Sequence, residues 1–129
     1  MKEQKFFICK ECGELVGIIE NEEAKLSCGK NPMVELKPNT VDAAKEKHVP
    51  VATVFGNTVT VKIGSVLHPM EKEHHIDWVY LQVNNGGQRK NIKDNKEAAV
   101  VFELCEGEKA VKVFAYCNKH GLWSSDVKD

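Results

Sequence analysis

The sequence predicts an all-β protein whose main part is an antiparallel β-sandwich. Three observations support this prediction. Short runs rich in β-branched residues recur after residue 50, turn-forming residues separate these runs, and no long amphipathic helical pattern competes with them. Several short strands separated by turns are typical of two packed antiparallel sheets. The predicted strands are Val51–Phe55, Val59–Ile63, Ile76–Val83, Ala98–Leu104 and Ala110–Tyr116.

Alternation and turn residues define these strands further. Val59–Ile63 and Val111–Phe114 alternate apolar and polar side chains, which is the period-2 pattern of strands with one buried face. Gly56-Asn57 and the segment 84–87 (Asn-Asn-Gly-Gly) supply turn residues between strands. The segment Val41–Lys47 is polar and predicts at most a single helical turn.

The composition excludes several classes of protein. A chain of 129 residues has room for one medium domain, or for a small module and one domain, and not for a large multidomain enzyme. Hydrophobic residues make up 42% and charged residues 29%, so the chain can bury a core. Its 18 basic and 19 acidic side chains give a net charge of -1, without the basic field that binds nucleic acids or membrane surfaces. No apolar run resembles a signal peptide or a membrane span, so we expect a cytoplasmic protein.

The cysteine count indicates metal binding. Five cysteines are an odd number that cannot all pair, and cytoplasmic thiols usually stay reduced. Metal ligation is therefore favoured over a disulfide framework. The cysteines are Cys9, Cys12, Cys28, Cys105 and Cys117.

Residues 6–36 predict a small module that carries three of these cysteines. Cys9-x-x-Cys12 follows the apolar segment Phe6–Ile8, and Leu15–Ile19 predicts a short strand before the return to Cys28. About 30 residues cannot bury enough apolar surface alone, so such a module requires a metal or a partner. The other predicted features are a polar turn at 21–25 and a segment, Met33–Leu36, that could pair back.

A domain boundary is expected near residues 37 and 38. The segment 37–40 (Lys-Pro-Asn-Thr) is typical of a linker, because proline and asparagine favour turns over regular strands. We therefore expect one domain at 1–37 and a second at 38–129.

The histidines lie in predicted loops or at strand edges, where a rigid β scaffold can position metal ligands. Cys117 and His120 are three residues apart in a tight turn, so both can reach one cation. A set rich in nitrogen with one thiolate suits iron, copper or zinc, whereas calcium and magnesium prefer oxygen. The histidines are His48, His68, His74, His75 and His120.

Three motifs, taken in order, resemble one family. The motifs are Glu46-Lys47-His48-Val49-Pro50, then His68-Pro69-Met70 with His74 six residues after His68, and Cys117-Asn118-x-His120-Gly121-x-Trp123. In these motifs, and over nearly the whole chain, the sequence is similar to the superoxide reductases, also called desulfoferrodoxins and neelaredoxins. The resemblance implies an immunoglobulin-like β-sandwich.

The resemblance implies one mononuclear non-haem iron. In the family, four imidazoles form a square around ferrous iron, a cysteinate binds axially, and the sixth position faces solvent. Matched residue by residue, the ligands in the square are His48, His68, His74 and His120, and the axial ligand is Cys117.

The implied activity is the one-electron reduction of superoxide to hydrogen peroxide. The electron comes from the iron, and an external donor, for which the resemblance suggests rubredoxin, reduces the iron again. Lys47 is implied to supply a local positive charge that attracts superoxide, worth on the order of 1 to 4 kcal/mol. Glu46 is implied to be the carboxylate that occupies the sixth position once the iron is ferric.

The N-terminal module resembles the desulforedoxin-like module of the two-iron family members, in which four cysteines bind a second iron. Here Cys9, Cys12 and Cys28 match three of them, and Gly29 stands where the fourth belongs. A tetrahedral site with three sulfurs lacks a ligand, so we predict no rubredoxin-like iron and at most a weakly occupied zinc or iron site. The module would then serve structure or dimerisation, as in family homodimers.

Alternatives follow from the same residues. The histidine and cysteine set could hold zinc or a closed iron site in a non-enzymatic electron carrier, although it exceeds the four ligands that zinc needs. A nucleic-acid-binding zinc ribbon is weakened by the missing fourth cysteine and the acidic balance. His75 could replace His74 as a ligand, but the six-residue step from His68 favours His74, and His75 is expected beside the site or in solvent. Cys105 is expected to be a small buried side chain at a strand end.

Overall fold

The structure is a computed structural model that describes residues 2–20 and 25–128, and it is nearly all β. It divides into two compact units, Met1–Lys37 and Pro38–Asp129. None of the described helices is long and apolar enough to cross a membrane. Most of the polar turn predicted at 21–25 lies outside the described residues.

The described part of the first unit consists of five short strands. The strands are β1 (Phe6–Ile8), β2 (Leu15–Gly17), β3 (Ser27–Cys28), β4 (Asn31–Pro32) and β5 (Val34–Glu35). β1 lies between β2 and β5 in an antiparallel sheet, and β3 pairs with β4. The strand predicted at Leu15–Ile19 ends at Gly17, because Phe6 opposite Gly17 is the last pair with β1, and Ile19 is 96% exposed.

The second unit contains one helical turn and seven strands among its described residues. The elements are α1 (Lys45–His48), β6 (Pro50–Phe55), β7 (Thr58–Ile63), β8 (Ile76–Val83), β9 (Gly86–Asn91), β10 (Ala99–Glu103), β11 (Ala110–Cys117) and β12 (Gly121–Asp126). The strands form two antiparallel sheets, with the strand orders β10-β7-β6 and β12-β11-β8-β9.

A single apolar core joins these two sheets. Strand β7 buries every second side chain, as its alternating sequence predicts. Strand β8 is buried along most of its length, because Trp78 and Tyr80 also pack against aromatic rings of the neighbouring strand β11. The core therefore draws on both sheets, which confirms the predicted all-β sandwich. Its central residues are Val59, Val61, Ile63, Val79, Leu81, Phe102, Val113 and Ala115.

Two strands of the second unit and the burial of one cysteine were not predicted correctly. β9 and β12 were missed because they form the edges of the four-stranded sheet and their sequences, GGQRKN and GLWSSD, lack an alternating apolar pattern. Cys105 is exposed, so the prediction of a buried side chain is wrong. The reason is that β10 ends at Glu103, and Cys105 opens a turn in which its N–H donates to the carboxylate of Glu108 at 2.7 Å.

One end of the sandwich collects the segments that carry Cys117 and the four histidines predicted as metal ligands. Antiparallel pairing places the start of β6 beside the end of β7, and the start of β8 beside the end of β11. The helical turn α1, the segment 64–75 and the turn 118–120 therefore meet at this end. A register irregularity between Tyr116 and Cys117 alters the direction of β11 where Cys117 ends the strand.

Candidate metal centre

Four histidine rings surround one point at this end of the second unit. Neighbouring ring centroids are 4.7 Å apart for His48 and His68, 4.5 Å for His68 and His74, 5.0 Å for His74 and His120, and 4.9 Å for His120 and His48. Neighbouring rings lie at 75° to 87° to one another. His48 and His74 lie across from each other, with centroids 6.2 Å apart. Each of the four rings therefore contacts two others, and together they enclose a common centre.

The Cys117 sulfur lies against this ring of imidazoles and is fully buried. Its Sγ is 3.3 Å from His68 Nε2 and 4.0 Å from His120 Nδ1. The potential ligand atoms of His48, His74, Cys117 and His120 all lie within 4.8 Å of one another. His68 is not in this set of four, but its Nε2 contacts Cys117 Sγ at 3.3 Å. Five donors from three segments of the chain therefore lie close together, as one metal ion requires.

Backbone carbonyl groups fix the orientation of two of the rings. His48 Nδ1 donates to the carbonyl of Ala44 at 2.7 Å, and His68 Nδ1 donates to the carbonyl of Pro69 at 2.7 Å. The Nε2 atom of each ring therefore carries a lone pair toward the centre. His120 faces the centre through the other nitrogen, since its Nδ1 is 3.1 Å from His48 Nε2.

One buried nitrogen of these rings supports the presence of a metal site. His74 Nε2 is buried and has no hydrogen-bond partner among the described residues. Leaving such an atom unpaired costs about 1–3 kcal/mol, unless a metal ion completes its surroundings. Four imidazole nitrogens and one thiolate suit iron, so the residues at this centre fit an iron ion.

Burial sets the protonation of these donors. Burial lowers the pKa of His48 and His74, and it lowers the pKa of His68 to about 4, so these rings stay neutral at physiological pH. Burial raises the pKa of the Cys117 thiol, while the backbone N–H groups of His120 and Lys119 oppose this effect. A bound cation would displace the thiol proton, because a coordinating sulfur is deprotonated.

Gly64 supports the helical turn that carries His48. The carbonyl of Glu46 accepts hydrogen bonds from Val66 N at 3.0 Å and from Ser65 Oγ at 3.3 Å. Gly64 has a φ of +93°, and a Cβ atom there would lie 2.3 Å from the Val66 carbonyl oxygen and 2.7 Å from that of Glu46. Only glycine allows this close approach, so Gly64 helps to fix the position of α1.

Asn118 ties the turn after β11 to the segment that carries His74. Its Oδ1 accepts from His75 N at 2.8 Å, and its Nδ2 donates to the carbonyl of Glu73 at 2.9 Å. On another side of the centre, Trp123 stacks on His48 with centroids 4.9 Å apart, and its Nε1 donates to the carbonyl of His120 at 3.0 Å. These contacts hold three loops in a fixed arrangement around the donors.

Charged side chains lie beside the ligands in the sequence and in space. Glu46, Lys47 and Lys119 are exposed. Burial is the largest cause that lowers the pKa of His48 and of His74, and the neighbouring His120 lowers both further. The positive charge of Lys47 also lowers the pKa of His48, and the charge of Lys119 also lowers the pKa of His74. Sequence reasoning identified Glu46 and Lys47 but missed Lys119, whose place between Cys117 and His120 was the available signal.

His75 is directed away from the centre. Its Nδ1 lies 2.9 Å from the carbonyl of Glu71, and its Nε2 lies 2.8 Å from Asp77 Oδ1. Both ring nitrogens are therefore occupied, whereas His74 Nε2 has no partner within residues 2–20 and 25–128. The structure places His74, and not His75, among the converging donors.

The first unit contains a second, smaller group of donors. The sulfurs of Cys9, Cys12 and Cys28 all lie within 4.8 Å of one another, with Cys12 and Cys28 at 3.3 Å. The hydrogen bond to Cys12 raises the pKa of Cys28 to about 12, and the backbone N–H of Glu14 lowers the pKa of Cys12. Gly29 adjoins this group with a φ of +60° and open space around the position of a Cβ atom.

Comparison with known proteins gives the same family from sequence and from structure. Residues 40–126 match the family Desulfoferrodoxin. A desulfoferrodoxin from Syntrophotalea carbinolica is 43% identical over 118 residues, which are 92% of this chain and 92% of that protein.

Solved structures extend this likeness. The superoxide reductase from Treponema pallidum is 38% identical, has a TM-score of 0.82, and covers 97% of this chain and 100% of its own. The superoxide reductase (1Fe-SOR) from Giardia intestinalis is 30% identical, with a TM-score of 0.56, over 66% of this chain and 100% of its own. This chain belongs to the desulfoferrodoxin family.

Proposed function

We propose that this protein is a superoxide reductase, an oxidoreductase that reduces superoxide by one electron to hydrogen peroxide. The observation that carries the proposal is the convergence of four imidazoles and the buried Cys117 sulfur, with an unpaired nitrogen on His74. Relatives and structural neighbours with the name superoxide reductase support it. The iron ligands in this proposal are His48, His68, His74, His120 and Cys117.

The protein groups have separate tasks in this proposal. Bound iron supplies the electron that reduces superoxide. Burial keeps the imidazoles neutral, and the carbonyls of Ala44 and Pro69 keep the Nε2 lone pairs of His48 and His68 free for the metal. The Cys117 thiolate would add negative charge and electron density at the metal, which favours electron transfer from it.

Lys47 and Glu46 are proposed to act on the substrate and product side. Lys47 is exposed beside the buried His48, so its positive charge can attract the superoxide anion although the whole chain has a net charge of -1. Glu46 precedes it on the same helical turn and would offer a carboxylate to bound iron once that iron has been oxidised. Lys119 adds a second positive charge beside the donors.

The domains are proposed to differ in function. Residues 38–129 form the immunoglobulin-like iron domain, and residues 1–37 form a desulforedoxin-like module that holds no tightly bound iron. This follows from the three sulfurs of Cys9, Cys12 and Cys28, which leave a tetrahedral ion one ligand short. The protein would therefore act with one iron per chain.

The cellular setting is also part of the proposal. Five unpaired cysteines suit the cytoplasm, where thiols stay reduced. A one-electron donor protein, rubredoxin in this proposal, would reduce the iron after each turnover. The small N-terminal module would support a homodimer, because it has few buried apolar side chains of its own.

The test is the ratio of hydrogen peroxide formed to superoxide consumed. Superoxide is supplied in pulses to the iron-loaded full chain with a reductant present, and both species are measured. A reductase forms one peroxide for each superoxide, whereas a dismutase forms one for every two because the second superoxide becomes dioxygen. The proposal predicts the first ratio. The second ratio, or an iron-loaded protein that consumes no superoxide and only carries electrons, would overturn it.

A further inference from the structure

The proposed function assigns no role to the three thiols of the first unit, yet two of them are in direct contact. Cys12 Sγ and Cys28 Sγ are 3.3 Å apart. Cys12 is exposed and Cys28 is half-buried, whereas Cys9 is fully buried. The accessible pair is therefore Cys12 and Cys28.

The sulfur separation can be compared with two kinds of site. In a tetrahedral thiolate site with metal–sulfur bonds of about 2.3 Å, two sulfurs lie about 3.8 Å apart. In a disulfide, they lie about 2.0 Å apart. The observed 3.3 Å is shorter than the edge of a metal tetrahedron. Gly29 also offers no donor for the fourth corner of such a tetrahedron.

The first unit needs a cross-link or a partner for stability. Among its described residues, Phe6 and Cys9 are the buried apolar side chains. A module of fewer than about 40 residues with so small a core usually depends on a disulfide, a metal or oligomerisation. A bond between Cys12 and Cys28 would tie the Cys9–Gly13 turn to the β3–β4 hairpin.

We propose that Cys12 and Cys28 are a dithiol that hydrogen peroxide oxidises to a disulfide. The Cys12 sulfur attacks one peroxide oxygen, the O–O bond breaks, and a sulfenic acid and one water form. The Cys28 sulfur then attacks the sulfenic sulfur, the S–OH bond breaks, and the disulfide and a second water form. Two thiols are oxidised by two electrons and one peroxide is reduced, and a thiol reductant reverses the change.

The source of the oxidant rests on the proposed function, since peroxide is the product of superoxide reduction, but the dithiol reaction needs only peroxide. Reagent hydrogen peroxide therefore tests the dithiol independently of the iron centre. A chain that consumes superoxide but keeps both thiols free overturns the dithiol alone. A chain that forms the disulfide but consumes no superoxide overturns the proposed function alone.

The experiment maps the disulfide by mass spectrometry. The full chain is treated with hydrogen peroxide, alkylated, and digested with trypsin without reduction. Each of the three cysteines then lies on its own peptide, namely Phe6–Lys10, Glu11–Lys25 and Leu26–Lys30. We expect a new linked pair of the second and third peptides, lighter than their sum by two hydrogen atoms, which a thiol reductant separates.

The controls distinguish this pair from other reactions. Cys28→Ser should lose the linked pair, whereas Cys105→Ser should keep it, because Cys105 is an exposed thiol outside the cluster. A link between the first and second peptides would overturn the assignment to Cys28. Full alkylation of Cys12 and Cys28 after peroxide, or protection of both by a metal that a chelator removes, would overturn the proposal.

Discussion

The two groups of cysteine donors lie in very different surroundings. Cys117 ends a long strand and is fully buried. Four histidines lie near it, and hydrogen bonds such as that from His75 N to Asn118 connect the loops that carry them. Cys12 and Cys28 lie in an exposed turn and a two-residue strand, in a unit with few buried side chains. The number of donors and the rigidity of their support, and not the presence of cysteine, decide where a metal can be held and made reactive.

Cys117→Ser should have the largest effect. Removal of a residue that only hydrogen-bonds to a metal ligand already lowers metal affinity or activity about 10–100-fold. Loss of the thiolate ligand itself should therefore have a larger effect. We expect the visible thiolate-to-iron absorption band and the consumption of superoxide to disappear. Cys105→Ser is the matched control and should retain both. An unchanged band in Cys117→Ser would show that the iron is bound elsewhere.

Gly29→Cys should convert the smaller cluster into a complete one. Four sulfurs satisfy a tetrahedral ion, so a second iron with tetrathiolate absorption should bind in the first unit. The φ of +60° costs about 1–2 kcal/mol for a residue with a side chain. Gly29→Ser carries the same strain without the thiol and should gain no iron. Failure of Gly29→Cys to gain metal would show that more than the missing sulfur limits this site.

Gly64→Ala should destabilise the second unit by about 3 kcal/mol or more, because its Cβ would overlap the carbonyl oxygens of Val66 and Glu46. Gly29→Ala also has a positive φ but meets open space, so about 1–2 kcal/mol is expected. The free energy of unfolding, measured with denaturant, checks both values. Equal losses of unfolding free energy in the two variants would mean that the close backbone approach at Gly64 does not contribute to stability.

Asn118→Ala should weaken iron retention about 10-fold, since it releases the segment that carries His74. Asn84 makes a similar pair of loop contacts, with Gly107 and Lys109, at the opposite end of β8. Asn84→Ala is therefore the matched control, and its iron retention should be unchanged. Competition with a chelator measures both variants. Similar iron loss in the two variants would indicate general loosening of the sandwich.

Lys47→Ala should slow superoxide capture about fivefold at low salt, which corresponds to a charge interaction of about 1 kcal/mol. The difference should shrink as salt screens the charge. Lys109→Ala removes the same charge just before the start of β11, at the end away from Cys117, and should leave the rate unchanged. Pulsed superoxide followed optically gives these rates. If Lys47→Ala captured superoxide as fast as the unchanged chain at low and at high salt, the role assigned to Lys47 would be contradicted.

Sequence patterns predicted the interior of the fold better than its edges. Strand β8 has the predicted bounds because its apolar residues are buried within a sheet. The polar edge strands β9 and β12 depend on backbone pairing that side chains do not reveal. The resemblance supplied the ligand positions, but the carbonyl of Ala44, the Asn118 contacts and the close approach at Gly64 depend on the folded chain. Cys105 was misplaced because the end of β10 was predicted one residue too late.

The iron content of the purified full chain tests the central claim most directly. Five donors converge in the second unit and three in the first, so metal analysis should find one tightly bound iron per chain, and Cys117→Ser should lose it. Two tightly bound irons per chain, or one iron that survives in Cys117→Ser and is lost in Cys12→Ser, would contradict the account.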